Sequence, residues 1–166
     1  ALDAAYTGVR VRFTGRLGER TRLVLQVDVG FGDPIVPGPV DIQFPVLLDF
    51  DPPMLLGYTP ETTVAEKFQA MVELDLANSR MKDFYDLWML AVTRQFDGAT
   101  LARALAATFR NRRTPLPQTP PTALGPAFCG DEGKQIQWRA FLRRGRLGSA
   151  SLAEVTAAVS RLVMPV

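Results

Sequence analysis

The chain contains no histidine and a single cysteine, Cys129, in 166 residues. The lack of histidine excludes imidazole acid–base chemistry, a Ser-His-Asp triad and His-ligated zinc within this chain. One cysteine forms neither an internal disulfide nor a thiolate cluster, which fits a reducing compartment, and a cytoplasmic protein is expected. No apolar run is long enough to span a membrane and no signal peptide is visible, so no membrane partner is expected. Repeats are absent, and the only biased run is the proline-rich stretch 114–122, TPLPQTPPT. Neither sign of charge dominates: the net charge is +2 and the pI about 9.0, a mildly basic balance compatible with nucleic acid but not diagnostic of it. Hydrophobic residues at 47% and charged residues at 22% are globular values and argue against global disorder. The length suits one domain, or one compact core with an accessory part.

What the sequence does have is concentrated in residues 59–95. Thr59 can cap a helix with Pro60 at its first position, where a missing N–H costs nothing. Val64, Ala65, Phe68, Met71 and Val72 recur at helical spacing and form one apolar face. Glu66 and Glu73 fall opposite that face, whereas Lys67 sits at its edge and should run along a packed surface. A second helix follows. From Phe84 to Val92 it is apolar on nearly every side, the pattern of a buried helix. Asp83 and Asp86 nevertheless share one stripe at i, i+3 with Lys82 beside them. Carboxylates there need a cation, a metal or donors nearby, and Lys67 and Arg80 are the local candidates. A plainer reading stays open: with Ser79 as cap, Asp83 lies in the first turn, where the helix dipole favours it, and Asp86 can sit solvated at the helix edge.

Ahead of this pair, residues 8–29 read as a β-hairpin. Val9, Val11 and Phe13 alternate with Arg10, Arg12 and Thr14, residues 16–19 make the turn, and Leu23 to Val29 alternate on the return strand. A turn centred near Gly18 places Asp28 across from Thr7 or Gly8, on one face with Gln26, Arg10 and Arg12. Prolines punctuate residues 34–58 and leave room only for short strands, at Val40–Phe44 and Met54–Tyr58. Thr100 can cap a helix through Arg110, with Leu101, Ala104, Leu105, Thr108 and Phe109 on one side. Arg110, Arg112 and Arg113 then either answer the helix dipole or contact phosphate. The stretch 114–122 is a polyproline-like connector. Asp131 starts a helix carrying Ile136, Trp138, Phe141 and Leu142. Ser151 and Glu154 form a capping box for a last helix with Leu152, Val155, Val159, Leu162 and Val163.

Ala65-Glu66-Lys67, followed by Arg80-Met81-Lys82-Asp83-Phe84-Tyr85-Asp86-Leu87, resembles the signature of the AbiEii-type nucleotidyltransferase toxins, a branch of the polymerase-β-like superfamily. Two separated motifs occur in order, and the likeness extends back through Val27–Asp33 and Phe44–Asp49. The resemblance implies an α+β fold. Residues 1–58 would be the β-rich part of a nucleotidyltransferase core, a hairpin plus short strands. Residues 59–166 would be a helical bundle interrupted by the connector at 114–122. It implies transfer of NMP from an NTP, with Mg2+ or Mn2+, to an acceptor such as tRNA or another RNA, and a cognate antitoxin as partner. Asp28 would be a metal carboxylate, Lys67 would contact the triphosphate, Asp83 would position Lys67 or the acceptor hydroxyl, and Lys82 and Asp86 would shape the nucleotide pocket.

A Gly-Ser or Gly-Gly turn followed by an Asp-x-Asp pair, the motif that defines this superfamily, is not in the sequence. With Ala1 at the start, that leads to the expectation of the later part of a longer enzyme, inactive by itself, or of the product of a truncated gene that is not an enzyme. A non-catalytic RNA- or protein-binding module is the alternative, and the basic runs at 110–113 and 143–146 suit it equally.

Overall fold

The computed structural model describes residues 8–148 and 150–164. The α+β order expected from the sequence holds, with strand hairpins first and helices after them. Close contacts divide the chain into two compact units, 1–33 and 34–166.

The first unit is one antiparallel hairpin, β1 (Gly8–Leu17) and β2 (Thr21–Gly30). Gly18 takes φ 64° in the turn, a left-handed value that only glycine adopts without cost. The reversal centres on Glu19, one residue later than the sequence suggested. Asp28 therefore lies opposite Arg10, not opposite Gly8 or Thr7, the latter lying outside the described residues. Moving the centre by one residue moves every partner by two, so the faces are preserved. Val9, Val11, Phe13, Leu23, Leu25, Val27 and Val29 share one face, and Arg10, Arg12, Gln26 and Asp28 the other. No described residue of this unit is buried.

The second unit opens with a short hairpin, β3 (Val40–Gln43) and β4 (Met54–Gly57), close to the two strand pieces expected. Six helices follow: α1 (Pro60–Leu74), α2 (Met81–Thr93), α3 (Gly98–Asn111), α4 (Pro126–Cys129), α5 (Glu132–Gly145) and α6 (Leu152–Val163). Thr59 caps α1 with Pro60 in the first turn. Its hydroxyl also donates to Val36 O at 2.6 Å, and Val36 N donates to Thr62 Oγ1 at 2.9 Å, which ties the strand-side chain to the start of α1. Ser151 and Glu154 form the expected capping box of α6, and Asp131 caps α5.

Two boundaries and one element differ from the sequence reading. Asp97 rather than Thr100 caps α3, accepting from Thr100 N at 2.8 Å. Arg80 rather than Ser79 precedes α2, and its N–H donates to Asn78 Oδ1 at 2.8 Å. The four-residue α4 was not foreseen, since one turn carries no periodicity to read.

α1 packs on α3 and α2 on α6 around a shared core. Val64, Phe68, Met71, Phe84, Leu87, Leu101, Leu105, Phe109, Phe128, Val155 and Val159 are all buried in it. The rings of Phe68 and Phe109 stand 5.6 Å apart, and Phe84 stacks on Phe128 at 5.0 Å. Burying each such ring stabilises the fold by roughly 2–3 kcal/mol. Apolar on nearly every side in sequence, α2 buries only Met81, Phe84 and Leu87 fully, and Val92 is exposed. Its remaining aromatics, Tyr85 and Trp88, pack at the core's margin, where Tyr85 meets Trp138 and Phe141 of α5.

Candidate functional site

Lys67 projects from the third turn of α1 at the edge of its buried face, as its wheel position predicts. Asp83 and Asp86 project from the first turns of α2, one helical turn apart, toward it. The Lys67 ammonium donates to Asp83 Oδ1 and lies 2.9 Å from Asp86 Oδ2. Lys82 reaches Asp86 from the outside at 2.5 Å. The side chains of Lys67, Asp83 and Asp86 are 21%, 17% and 26% exposed, whereas Lys82 is 73% exposed. Of the two cations proposed to answer the α2 carboxylates, Lys67 is therefore the one that does.

Chain elements distant in sequence hold this meeting in place. Asp75 ends α1 at φ 42°, and its carboxylate accepts from Ala123 N at 3.0 Å. Lys134 of α5 donates to Asn78 O at 2.8 Å. The turn between α1 and α2 is thus fastened at both ends, and that sets the angle at which α2 presents its carboxylates.

Burial alone would push the Lys67 ammonium down, but the hydrogen bonds to Asp83 and Asp86 outweigh it and hold its pKa above the ordinary 10.5. Burial would likewise raise Asp86, yet Lys67 and Lys82 together hold it below 3.8. Lys67 and Asp86 therefore stay ionised at neutral pH.

A cavity of about 270 Å³ opens beside Lys67, lined by Tyr58, Thr63, Glu66, Lys67, Ala70, Arg80, Asp83 and Arg112. Lys82 and Asp86 do not line it. Arg80 is exposed at this cavity and has no ion pair among the described residues. Arg112, just past the end of α3, reaches back to α1: its Nη1 donates to Gln69 Oε1 at 2.8 Å, and its Nη2 lies 3.6 Å from Glu66 Oε1. Glu66 is thus covered by α3 rather than facing water as its wheel position suggested. The sequence reading weighed Arg112 with its two neighbours as a dipole partner or a phosphate contact. Only Arg112 turns inward, while Arg110 and Arg113 are exposed. Its separation of 43 positions from Gln69 leaves no local signal; the polar pair Glu66 and Gln69, three apart on α1, was the available hint.

Asp28 belongs to the hairpin unit. Its carboxylate accepts from Arg10 Nε at 2.6 Å and Nη2 at 3.2 Å, and from Gln26 Nε2 at 3.0 Å. Hydrogen bonding from Arg10, against the opposing effect of desolvation and with help from Gln26, holds its pKa below 3.8. Divalent ions of the Mg2+ or Mn2+ kind take several oxygen ligands. No group of three or more acidic, histidine or cysteine residues able to hold a metal occurs among the described residues. A single carboxylate already bonded to a guanidinium does not make such a set.

No helix among the described residues is long and apolar enough to cross a membrane. No curated protein and no solved structure matches the chain. A family described as "Nucleotidyl transferase AbiEii toxin, Type IV TA system" matches residues 1–160. That match spans nearly the whole chain and contains both motifs whose side chains meet at Lys67. The chain belongs to the AbiEii nucleotidyl transferase toxin family of type IV toxin–antitoxin systems.

Proposed function

We propose that the hollow between α1, α2 and the end of α3 receives the phosphates of a nucleoside triphosphate, and that the protein serves transfer of NMP to the hydroxyl of an RNA acceptor, the 3′ end of a tRNA being one. An antitoxin partner follows from membership of a type IV system. One observation carries the site assignment: Lys67 and Asp83, from two separated motifs, meet on the wall of a polar cavity whose other cations are Arg80 and Arg112. A triphosphate is a cluster of strong acceptors, and guanidinium and ammonium groups in a half-buried hollow are its natural counterparts.

In this reading Lys67 is the phosphate contact, held charged and in place by its two carboxylates. Asp83, which also faces the cavity, positions Lys67 or accepts a hydrogen bond from the acceptor hydroxyl. Asp86 braces Lys67 from the side, and Lys82 balances Asp86, so both shape the pocket from outside its lining. Arg80 is the cation open to an arriving phosphate. Asp28 remains the residue assigned to Mg2+ or Mn2+ on the family resemblance, a role that requires Arg10 to release it. With one assigned metal carboxylate, the 166 residues alone are expected not to complete the transfer.

Titration calorimetry with each Mg-NTP in turn tests the assignment. Wild-type chain should bind at least one, and Lys67→Met should weaken that binding about 10-fold or more, the scale of one lost charge-assisted contact. Unchanged affinity in a folded Lys67→Met protein would remove the hollow from the nucleotide site. Radiolabelled NTP incubated with RNA and the chain should give no labelled product; labelling would overturn the expected inactivity. The engagement of Asp28 by Arg10 favours a second reading, a binding module without chemistry, in which RNA is held and no NTP is.

A further inference from the structure

The hairpin register places more positive charge on one face than the described residues of the hairpin balance. Arg10, Arg12, Thr14 and Arg16 point to the same side as their partners Asp28, Gln26, Val24 and Arg22. Four guanidiniums thus share a face with one carboxylate. Asp28 is taken by Arg10, and Arg12 donates only to the neutral Gln26, at 3.3 Å. Arg16 and Arg22 are directly opposite each other. Like charges so placed repel, and neither arginine has an ion pair among the described residues. Arg20, in the turn between the strands, adds a further exposed cation.

We propose that this face binds the phosphodiester backbone of a nucleic acid. Same-face residues on a strand recur about every 7 Å, close to the distance between successive phosphates in an extended strand. Guanidiniums match phosphate oxygens with paired, directed donors, and a phosphate between Arg16 and Arg22 turns their repulsion into two attractions. The face carries no aromatic residue on which a base can stack, so the contact is to the backbone and is independent of base sequence. An anionic lipid surface fits less well. The apolar residues Val9, Val11, Phe13, Leu25 and Val27 lie on the opposite side of the same hairpin, so a planar membrane cannot engage both sets at once. A nucleic acid needs only the basic one.

The inference deepens the acceptor assignment and rests on that reading for its use in catalysis, but its geometry lies wholly within the hairpin. The test is fluorescence anisotropy of the full chain with a labelled 20-nucleotide single-stranded RNA, and with DNA of the same sequence, across a salt series. Wild type should bind both, with affinity falling steeply as salt rises. Arg16→Gln/Arg22→Gln should weaken binding about tenfold and reduce the salt slope by about 0.7, the share of the one phosphate held between them. Arg16→Lys/Arg22→Lys should keep the slope. Removing the Arg16–Arg22 repulsion should not harm folding, which circular dichroism checks. Lys67→Met should leave oligonucleotide binding intact while weakening NTP binding, so the two assignments fail separately. Equal binding of RNA and DNA supports a backbone contact, and preference for RNA supports the acceptor role as well. No oligonucleotide binding by wild type, a slope unchanged in Arg16→Gln/Arg22→Gln, or binding to phosphatidylserine vesicles but not to oligonucleotides would overturn the proposal.

Discussion

The two units use one device, a cation bridged to aspartate, under opposite conditions. In the hairpin, Arg10 and Asp28 are 61% and 56% exposed, and water competes for both. Between α1 and α2, Lys67, Asp83 and Asp86 are mostly withdrawn from water, and one ammonium serves two carboxylates. The first arrangement dresses a surface. The second is structural and poised at once, because removing Lys67 leaves Asp83 without its counterpart in a poorly solvated place. The hairpin accordingly remains open to ligands with little reorganisation, whereas a ligand of the helical site must offer something better than what Lys67 already has.

The largest test of the contrast lies in the core that withdraws the helical cluster from water. Phe84 is fully buried against Phe128, so Phe84→Ala should cost about 3–5 kcal/mol in urea unfolding; a loss below about 1.5 kcal/mol would mean that α2 is not anchored as described. Next comes Lys67→Met, which leaves Asp83 and Asp86 facing each other without their ammonium. We expect a loss of about 2 kcal/mol, between the values for buried and for surface pairs, and Asp86→Asn added to it should restore part of that loss.

A smaller effect concerns pH. Asp86 is held below its ordinary 3.8, so its contribution is present above that value and fades as pH falls through the lower, folded one. Lys67 is held above 10.5, so its contribution is full below that value and is lost as pH rises through the higher one. Thermal midpoints should therefore show limbs at both extremes that Lys67→Met flattens, and flattening of neither would deny the linkage. The smallest effect is expected of Arg10→Ala, which should leave the unfolding midpoint of the helical unit where it was. A clear shift there would erase the distinction between the two pairs.

Local patterns in the sequence carried much of this arrangement. Thr59 with Pro60, Ser151 with Glu154, and the apolar positions of α3 each follow from rules spanning one or two turns, and each is found where those rules put it. The meeting of Lys67 with Asp83 and Asp86 was legible as a need, since carboxylates beside an apolar run require a partner. The hairpin register was missed by two positions because it depends on a single turn residue. Arg112 was missed for a different reason: its inward course depends on α3 packing across α1, which no local spacing encodes. Asp97 and Thr100 are both good caps, and only the backbone decides between them.

The fastening of the turn after α1 has a consequence for how this protein can be trimmed. Both motifs end by residue 87, yet the grip on their shared corner comes from Ala123 and Lys134. A chain cut short at the proline-rich stretch would retain every signature residue while α2 swung free of its stop. The later helices thus set the corner from which the signature residues project, while carrying none of those residues themselves.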